Sequence, residues 1–310
     1  MKLAIVGPGA LGCLMAALFW EAGEDVTLVD YQAERAARLR YRGIHVHTLE
    51  GATRVLNVPI ALAPEVGPCD LTIVAVKAYQ TKAAAQALPT LMSQGGMALT
   101  LQNGLGNLEE MARVVGPERL LAGVGFLGVT RQAEGRIIYA GRGAIYVGVP
   151  AGSQLSLTEV AAVVEIFQRA GLDCQSREDI AAVLWEKLII NVGINPLTAL
   201  LRVPNGALLE LPPAWQVAVT AATEAQTVGR AAGLNLNGNP EARLTQVCTN
   251  TAANRSSMLQ DILAGRPTEI EALNAQVAIR GRGLGLPTPV NDLLTALIRA
   301  TEQSASFRVS

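Results

Sequence analysis

The N-terminal stretch MKLAIVGPGALG (residues 1–12) decides the fold of the first half of the chain. A continuous apolar run, typical of a strand buried on both faces, leads into G-x-G-x-x-G, and an apolar helical segment follows. Gly7 permits a tight turn, Gly9 lets a pyrophosphate approach the backbone, and Gly12 lets the helix pack on the sheet. The helix N-terminus adds N–H donors for phosphate. This context predicts a dinucleotide site, although a purely structural turn is the alternative. The candidate cofactor contacts are the loop residues Gly7, Pro8, Gly9, Ala10, Leu11 and Gly12.

Beyond this stretch, strand-type and helix-type segments alternate as far as residue 177, which predicts a doubly wound parallel sheet. A glycine-punctuated, β-rich stretch (residues 123–150) is expected to form meander strands that close the domain. Long helical segments then dominate the rest of the chain. We therefore expect an α/β Rossmann-type, doubly wound domain over residues 1–177 and an all-α domain over residues 178–310.

The bulk composition excludes several classes of function. Of 310 residues, 50% are hydrophobic and 16% are charged, and the net charge is −1. This balance offers no basic patch for nucleic acid, and no apolar run reaches the ~18 residues of a membrane-spanning helix. Four cysteines without a CxxC pair fit a reducing compartment. A cytoplasmic protein with neither nucleic-acid nor membrane partners is expected, and its apolar C-terminal helices suit a homodimer interface and a core equally.

The choice of dinucleotide depends on residues at the end of the second strand. Asp30 stands there, and a carboxylate in this place typically accepts hydrogen bonds from the adenosine ribose and repels a 2′-phosphate. Asp30 therefore favours NADH. Arg35 and Arg38 in the next helix are placed to reach a phosphate and favour NADPH. A plain strand-end turn residue is the alternative for Asp30.

Two more polar residues follow strand ends. Lys77 ends LTIVAVK and Asn103 follows MALTL. Ligands of open parallel sheets bind at this edge, but a solvated lysine and an Asn-Gly turn are the alternatives.

His45 and His47 share one face of a β-type run with no further ligands nearby, so we interpret them as surface residues and expect no metal site.

A polar column interrupts the apolar segment LWEKLIINVGINPLTAL (residues 184–200). Lys187, Asn191 and Asn195 are four residues apart, so they stack along one helix face. A lysine whose pKa is lowered by burial is a candidate general acid. Asparagines beside it suit a hydroxyl or keto-acid ligand. A partly exposed polar stripe is the alternative, and Pro196 predicts that the helix kinks or ends at Asn195.

Two weaker signals lie farther along the chain. PTEIE (residues 267–271) predicts a helix start in which Thr268 and Glu271 form a capping box, which leaves Glu269 without a structural role. Ser257 is spaced to share a helix face with Asn254 and Asp261.

Together these stretches resemble the ketopantoate reductases (2-dehydropantoate 2-reductases) over nearly the whole chain. The resemblance rests, in order, on GPGALG, VKAYQ, QNGLGN, WEKLIINVGINPLTAL, PNG, NRSSMLQDI and TEIE. GPGALG is common to many dehydrogenases, whereas KLIINVGINPLTAL and SSMLQDI are far more specific. The resemblance implies a C-terminal domain like that of 6-phosphogluconate dehydrogenase. It also implies reduction of 2-dehydropantoate to (R)-pantoate with NAD(P)H, a step towards pantothenate and coenzyme A.

The resemblance also implies site residues. Lys187 matches the family's proton donor, and Glu269 matches a glutamate near cofactor and substrate. The resemblance therefore implies that Lys187 and Glu269 are the catalytic residues. The implied substrate contacts are Asn103, Asn191, Asn195, Asn205 and Ser257. The implied cofactor contacts outside the glycine loop are Asp30, Lys77, Asn103 and Glu269. Members that use NADPH often carry a basic residue where this chain has Asp30, so both cofactors stay open.

Other functions fit parts of the pattern. A 2-keto acid reductase that makes a different D-2-hydroxy acid would share the same motifs. A non-catalytic dinucleotide-binding or redox-sensing protein would not need Lys187 or Asn191. A phosphosugar or glycerol-phosphate dehydrogenase would need more basic residues at the substrate site.

Overall fold

Two compact units make up the chain in this computed structural model, which describes residues 1–307. The first unit contains Met1–Gln102 and Asn107–Ile180. The second contains Asn103–Gly106 and the chain from Ala181 onward. The division falls close to the predicted boundary after residue 177, but the sequence did not indicate that a four-residue piece of the first half belongs to the second unit.

An eight-stranded sheet forms the centre of the first unit. In chain order the strands of this unit are β1 (Lys2–Val6), β2 (Asp25–Asp30), β3 (Ile44–His47), β4 (Thr53–Leu56), β5 (Ile60–Leu62), β6 (Cys69–Val74), β7 (Met92–Thr100), β8 (Leu120–Gly125), β9 (Gly128–Ala133), β10 (Arg136–Gly141), β11 (Ile145–Gly148) and β12 (Cys174–Ser176). The sheet order is β12-β11-β8-β7-β6-β1-β2-β5, and β11 and β8 pair antiparallel while the other neighbours pair parallel. The predicted doubly wound fold is confirmed.

Both faces of this sheet are covered, as the continuous apolar run in β1 predicted. Leu3 and Ile5 belong to one buried cluster, whereas Ala4 and Val6 belong to another. Because side chains alternate across a strand, these two clusters lie on opposite faces of the sheet. Phe19 and Phe167 pack edge to face in the first cluster with ring centroids 5.0 Å apart.

A second sheet of four strands, in the order β4-β3-β10-β9, was only partly anticipated. Residues 123–150 were predicted to be meander strands that close the domain. The stretch does form strands, but they divide between two sheets. β8 and β11 join the main sheet, whereas β9 and β10 pair with each other and β10 pairs with β3. His45 and His47 lie on β3, partly exposed, as interpreted from the sequence.

Seven α-helices flank the sheets of the first unit. They are α1 (Ala10–Glu21), α2 (Ala33–Arg42), α3 (Ala63–Val66), α4 (Thr81–Ala85), α5 (Leu88–Leu91), α6 (Asn107–Val115) and α7 (Leu157–Arg169). The segment TKAAAQALPTLM (residues 81–92) is not one helix, because it forms α4 and α5 and its last residue begins β7. A 3-10 turn at Ala78–Gln80 precedes α4.

Helices build the second unit, as predicted. They are α8 (Ile180–Leu201), α9 (Pro212–Ala231), α10 (Pro240–Asn250), α11 (Ser257–Leu263), α12 (Asn274–Gly283) and α13 (Pro289–Gln303), with 3-10 turns at Asn205–Glu210 and Ser304–Phe307. Helix α8 is long and apolar enough to cross a membrane by length and composition, but 67% of its most apolar 18-residue window is buried inside the protein. It is therefore a core helix of this unit.

Pro196 was predicted to kink α8 or to end it at Asn195. The helix does not end there, because it continues through Pro196 to Leu201. Another local prediction in this unit was wrong. PTEIE does not start an α-helix, because α12 begins only at Asn274. The Thr268 hydroxyl accepts from the N–H of Ile270, and Glu271 forms an ion pair with Arg299, so no capping box forms.

Candidate functional site

The turn between β1 and α1 requires glycine at two positions. Gly7 has φ +112°, a conformation that L side chains rarely adopt, and its N–H donates to the Val29 carbonyl at 3.0 Å. A Cβ on Gly12 would lie 1.9 Å from the Gly7 carbonyl oxygen. These two glycines are therefore needed to form the turn, whatever it binds.

Gly9 is different, because a Cβ there would meet nothing closer than the Ala75 carbonyl oxygen at 3.9 Å. Gly9 is also the N-cap of α1, no side chain caps this helix end, and no acidic residue lies in its first turn. Helix N–H groups without a side-chain cap are donors for an anion. The loop therefore fits the pyrophosphate of a dinucleotide, which would be held by the backbone of residues 7–12.

At the end of β2, the Asp30 side chain is fully buried and already paired. Its two oxygens accept from Arg35 Nε at 2.6 Å and Nη2 at 2.5 Å, and one also accepts from the Gln32 N–H at 3.0 Å. The guanidinium also stacks on the Tyr31 ring, 4.9 Å from its centroid. The hydrogen bond with Asp30 raises the pKa of Arg35. Asp30 is thus placed where the sequence predicted, but a neighbouring cation neutralises its charge.

Arg38, the other basic residue considered for phosphate, is also paired. Its guanidinium donates two hydrogen bonds to Glu134 at 2.9 Å each. The same contact lowers the pKa of Glu134. Arg35 is therefore the better placed of the two arginines to influence a ligand at Asp30.

The structure assigns Lys77 and Asn103 to different units. Lys77 is partly exposed in the first unit, just before the 3-10 turn at Ala78–Gln80. Asn103 belongs with the helical unit, where the next residue but one, Leu105, donates its N–H to the Ala272 carbonyl at 2.8 Å.

In the second unit, α8 presents the polar column as predicted. Lys187 and Asn191 are partly exposed, whereas Asn195 is buried with 6% exposure. Burial lowers the pKa of Lys187 from 10.5 to about 8, and the negative charge of Glu269 opposes part of this fall. A lysine with this pKa is mostly protonated at neutral pH and gives up its proton more readily than an ordinary lysine.

Glu269 joins this group from the turn before α12. It is 6% exposed, and its Oε2 accepts from Asn103 Nδ2 at 3.4 Å. The helical unit thus brings together three residues that are far apart in sequence, namely Lys187, Glu269 and Asn103. The negative charge of a buried carboxylate stabilises the charged form of a neighbouring ammonium.

Asn205 lies at the start of the 3-10 turn Asn205–Glu210 and is buried. Its Nδ2 donates to the Thr251 hydroxyl at 2.9 Å. Its Oδ1 is buried and has no hydrogen-bond partner among residues 1–307. An unsatisfied buried acceptor is costly, which makes this oxygen a candidate for a ligand hydroxyl.

Ser257 is exposed at the start of α11. Asn254 lies outside that helix and does not share a helix face with Ser257, whereas Asp261 lies one turn farther along α11 and is buried. The buried serine is its neighbour Ser256. This residue caps α11 by accepting from the Leu259 N–H at 3.1 Å, and it also accepts from the Thr198 hydroxyl of α8 at 2.7 Å. Sequence reasoning missed Ser256, although a serine just before a helix is a recognisable cap.

Both halves of the chain match known proteins. The family model "Ketopantoate reductase PanE/ApbA" matches residues 3–152, and "Ketopantoate reductase PanE/ApbA C terminal" matches residues 179–302. A protein of Halobacterium salinarum named 2-dehydropantoate 2-reductase is 37% identical over 304 residues, covering 98% of this chain and 99% of the relative. A protein of the same name from Archaeoglobus fulgidus is 36% identical, covering 97% and 98%.

Solved structures also match nearly the whole chain. The ternary structure of D-mandelate dehydrogenase with NADH and anilino(oxo)acetate has a TM-score of 0.90 at 26% identity, covering 98% of this chain and 99% of that one. The crystal structure of 2-dehydropantoate 2-reductase from Geobacter metallireducens has a TM-score of 0.88 at 30% identity, covering 97% and 99%.

A doubly wound dinucleotide fold, followed by a helical unit that carries a lysine of lowered pKa, defines a two-domain oxidoreductase. The family models cover most of both units. The chain belongs to the ketopantoate reductase family.

Proposed function

We propose that the protein reduces the ketone of 2-dehydropantoate to (R)-pantoate with NADH or NADPH. The observation that carries this proposal is Lys187, a lysine with a pKa of about 8 beside the carboxylate of Glu269. Family membership supports the choice of substrate, because relatives that match nearly the whole chain bear the name 2-dehydropantoate 2-reductase.

Lys187 acts as the proton donor in this proposal. When bound, the reduced nicotinamide supplies the hydride. As negative charge develops on the ketone oxygen, the Lys187 ammonium stabilises it and transfers a proton. Glu269 keeps the ammonium form populated, because its charge raises the pKa that burial has lowered.

The neighbouring amides orient the substrate. Asn191 and Asn195 follow Lys187 along the same face of α8, and Asn205 offers a buried oxygen that accepts no hydrogen bond from residues 1–307. A hydroxyl-bearing keto acid supplies both donors and acceptors for such groups. Asn103 and the exposed Ser257 stay predictions as substrate contacts.

For the cofactor, we propose that the loop of residues 7–12 binds the pyrophosphate and that Arg35 governs the choice between NADH and NADPH. The sequence-based preference for NADH assumed that the Asp30 carboxylate is free. Its pairing with Arg35 supports a different proposal, in which the neutralised carboxylate tolerates a 2′-phosphate. Lys77, Asn103 and Glu269 stay predictions as cofactor contacts.

The test is a dinucleotide-oxidation assay on the purified protein. Absorbance at 340 nm (roughly the band of reduced nicotinamide) is followed with 2-dehydropantoate and with NADH or NADPH at equal concentration. We expect turnover in the ordinary range of about 1–10³ s⁻¹ and formation of (R)-pantoate. Failure to oxidise either dinucleotide with this substrate would reject the proposed function.

A related 2-keto acid reductase is the second candidate. The similarity to D-mandelate dehydrogenase at a TM-score of 0.90 favours it, because that protein was solved with NADH and an oxoacetate ligand. A panel of branched, linear and aromatic 2-keto acids separates the two candidates. A kcat/KM for an aromatic keto acid above that for 2-dehydropantoate would favour the second.

Two further proposals concern the whole protein. We propose a cytoplasmic location, which cell fractionation measures. The homodimer anticipated from the sequence stays a prediction, which sedimentation velocity measures.

A further inference from the structure

Pro196 interrupts the hydrogen-bond ladder of α8. Proline has no backbone N–H, so it cannot donate to the carbonyl four residues earlier, which belongs to Val192. Val192 follows Asn191, and Pro196 follows Asn195. The interrupted hydrogen bond therefore lies between the two asparagines of the polar column.

Asn274 supplies a donor at this point. Its Nδ2 donates to the Val192 carbonyl at 3.0 Å and also to Asn291 Oδ1 at 3.0 Å. Asn274 and Asn291 are both 0% exposed. Asn274 lies at the start of α12, 82 residues from Val192, so the contact is a tertiary one.

The orientation of both amides is fixed by their partners. Asn291 Nδ2 donates to the Ala221 carbonyl at 3.0 Å and to Glu224 Oε2 at 2.7 Å, and both of these groups are acceptors. Asn291 must therefore turn its oxygen towards Asn274, which in turn must present its NH2 group. Glu224 also accepts from the N–H groups of Val290 and Asn291 at 3.0 Å each, which ties the chain of bonds to the start of α13.

The hydrogen bonding of the Asn274 oxygen indicates which group of this side chain the fold uses. Asn274 Oδ1 is buried and finds no hydrogen-bond partner in the described chain. A buried acceptor left unsatisfied destabilises the folded state, whereas an apolar residue of similar size would avoid this cost. The benefit of asparagine here lies in its NH2 group.

We propose that Asn274 is a positioning residue for the reaction. Its NH2 group replaces the backbone N–H that Pro196 lacks, and it keeps α8 continuous between the turn that bears Asn191 and the turn that bears Asn195. The inference rests on the proposed keto acid reduction, and it adds a residue that acts through the helix rather than by touching substrate.

The test is a double-mutant cycle of Asn274→Ala and Pro196→Ala. Asn274→Ala leaves the Val192 carbonyl without its donor, so we expect the KM for 2-dehydropantoate to rise by roughly tenfold, since a small misplacement of aligning groups is costly. The KM for the dinucleotide stays unchanged. Pro196→Ala alone has an effect of about twofold, and in the double variant its new N–H restores the KM to within about threefold of the wild-type value.

Val277→Ala is the matched control. Val277 lies on the same helix as Asn274, is also 0% exposed and belongs to the apolar core. Its truncation lowers the melting temperature through a cavity but leaves the KM for the keto acid unchanged. The inference is wrong if Val277→Ala raises that KM as much as Asn274→Ala does, or if the double variant is no better than Asn274→Ala.

Two further outcomes are decisive. If Asn274→Ala does not fold, recovery of folding in the double variant supports the inference and failure to recover overturns it. If the wild-type protein reduces no 2-dehydropantoate, the proposed function fails by itself. The wild type, the two single variants Asn274→Ala and Pro196→Ala, and the double variant are then compared without substrate. The measured quantity is the rate at which an amine-reactive ester labels Lys187, followed by peptide mass spectrometry. A rate changed in Asn274→Ala and restored in the double variant supports the inference, and an unchanged rate overturns it.

Discussion

The glycine loop of residues 7–12 and the polar column of α8 are suited to ligands in opposite ways. The loop offers backbone N–H groups and depends on having no side chains, since a Cβ on Gly12 would collide with Gly7. The column offers three polar side chains on a helix that is mostly apolar and largely buried. Because the two use different chemistry, changes in the loop should alter dinucleotide affinity, and changes in the column should alter turnover.

The largest expected effect comes from the column. Lys187→Ala removes the proton donor, and a positioned acid contributes about 10²–10⁴-fold, so turnover should fall by that range. The KM for the dinucleotide should stay nearly constant. Steady-state kinetics measure both values, and Lys82→Ala, which changes an exposed lysine of α4, is the control. If turnover persists in Lys187→Ala, Lys187 is not the proton donor.

The loop gives the next largest effect. Gly9→Ala places a methyl group where the structure leaves room, so folding should persist while the group obstructs the approach of a pyrophosphate. We expect the dinucleotide Kd to rise roughly tenfold or more, which corresponds to about 1.4 kcal/mol. Fluorescence titration measures the Kd and thermal unfolding checks the fold.

Gly12→Ala is the contrasting variant in the loop. Its Cβ would lie 1.9 Å from the Gly7 carbonyl oxygen, so this variant should lose stability as well as affinity. Equal thermal stability in the Gly9 and Gly12 variants would contradict the finding that a Cβ has room at residue 9 but not at residue 12.

A smaller effect is expected at the end of β2. Arg35→Ala exposes the Asp30 charge to a 2′-phosphate, so the ratio of kcat/KM for NADPH to that for NADH should fall roughly tenfold. Asp30→Asn should move the ratio in the opposite direction. Arg38→Ala is the control, because Arg38 pairs with Glu134 instead. An unchanged ratio in Arg35→Ala would show that this pair does not set the preference.

The smallest effect concerns pH. With a pKa of about 8, Lys187 loses its proton as the pH rises through that value, so kcat/KM should be highest below about pH 8 and fall above it. Glu269→Gln removes the charge that raises this pKa, so the midpoint should move to lower pH. Glu271→Gln, next but one in sequence and paired with Arg299 on the surface, is the control. A midpoint that rises in Glu269→Gln would contradict the assignment.

The sequence predicted the fold class because its signals are local. An apolar run, a glycine loop and a helix follow each other within residues 1–21, and the spacing of Lys187, Asn191 and Asn195 places them on one face. The second sheet was largely missed because it pairs β3 with β10, which are about ninety residues apart. No local pattern reports such a pairing.

The errors at individual residues have the same origin. Pro196 was expected to kink α8 or to end it at Asn195, since the sequence gives no sign that Asn274 would donate to the Val192 carbonyl. Asp30 was expected to repel a 2′-phosphate, although Arg35 lies in the first turn of α2 and binds both of its oxygens. In both places a side chain supplied the partner that the backbone or solvent would otherwise provide.

The short segment Asn103–Gly106 limits how the protein can be divided for engineering. These residues belong to the helical unit, where Leu105 bonds to the Ala272 carbonyl and a Cβ on Gly104 would overlap the same residue. The helical unit is therefore not encoded by one continuous stretch. A chimera that replaces the chain after residue 180 with that of a relative must also carry the matching four residues. Otherwise the new helical unit will lack the segment that packs against the position of Ala272.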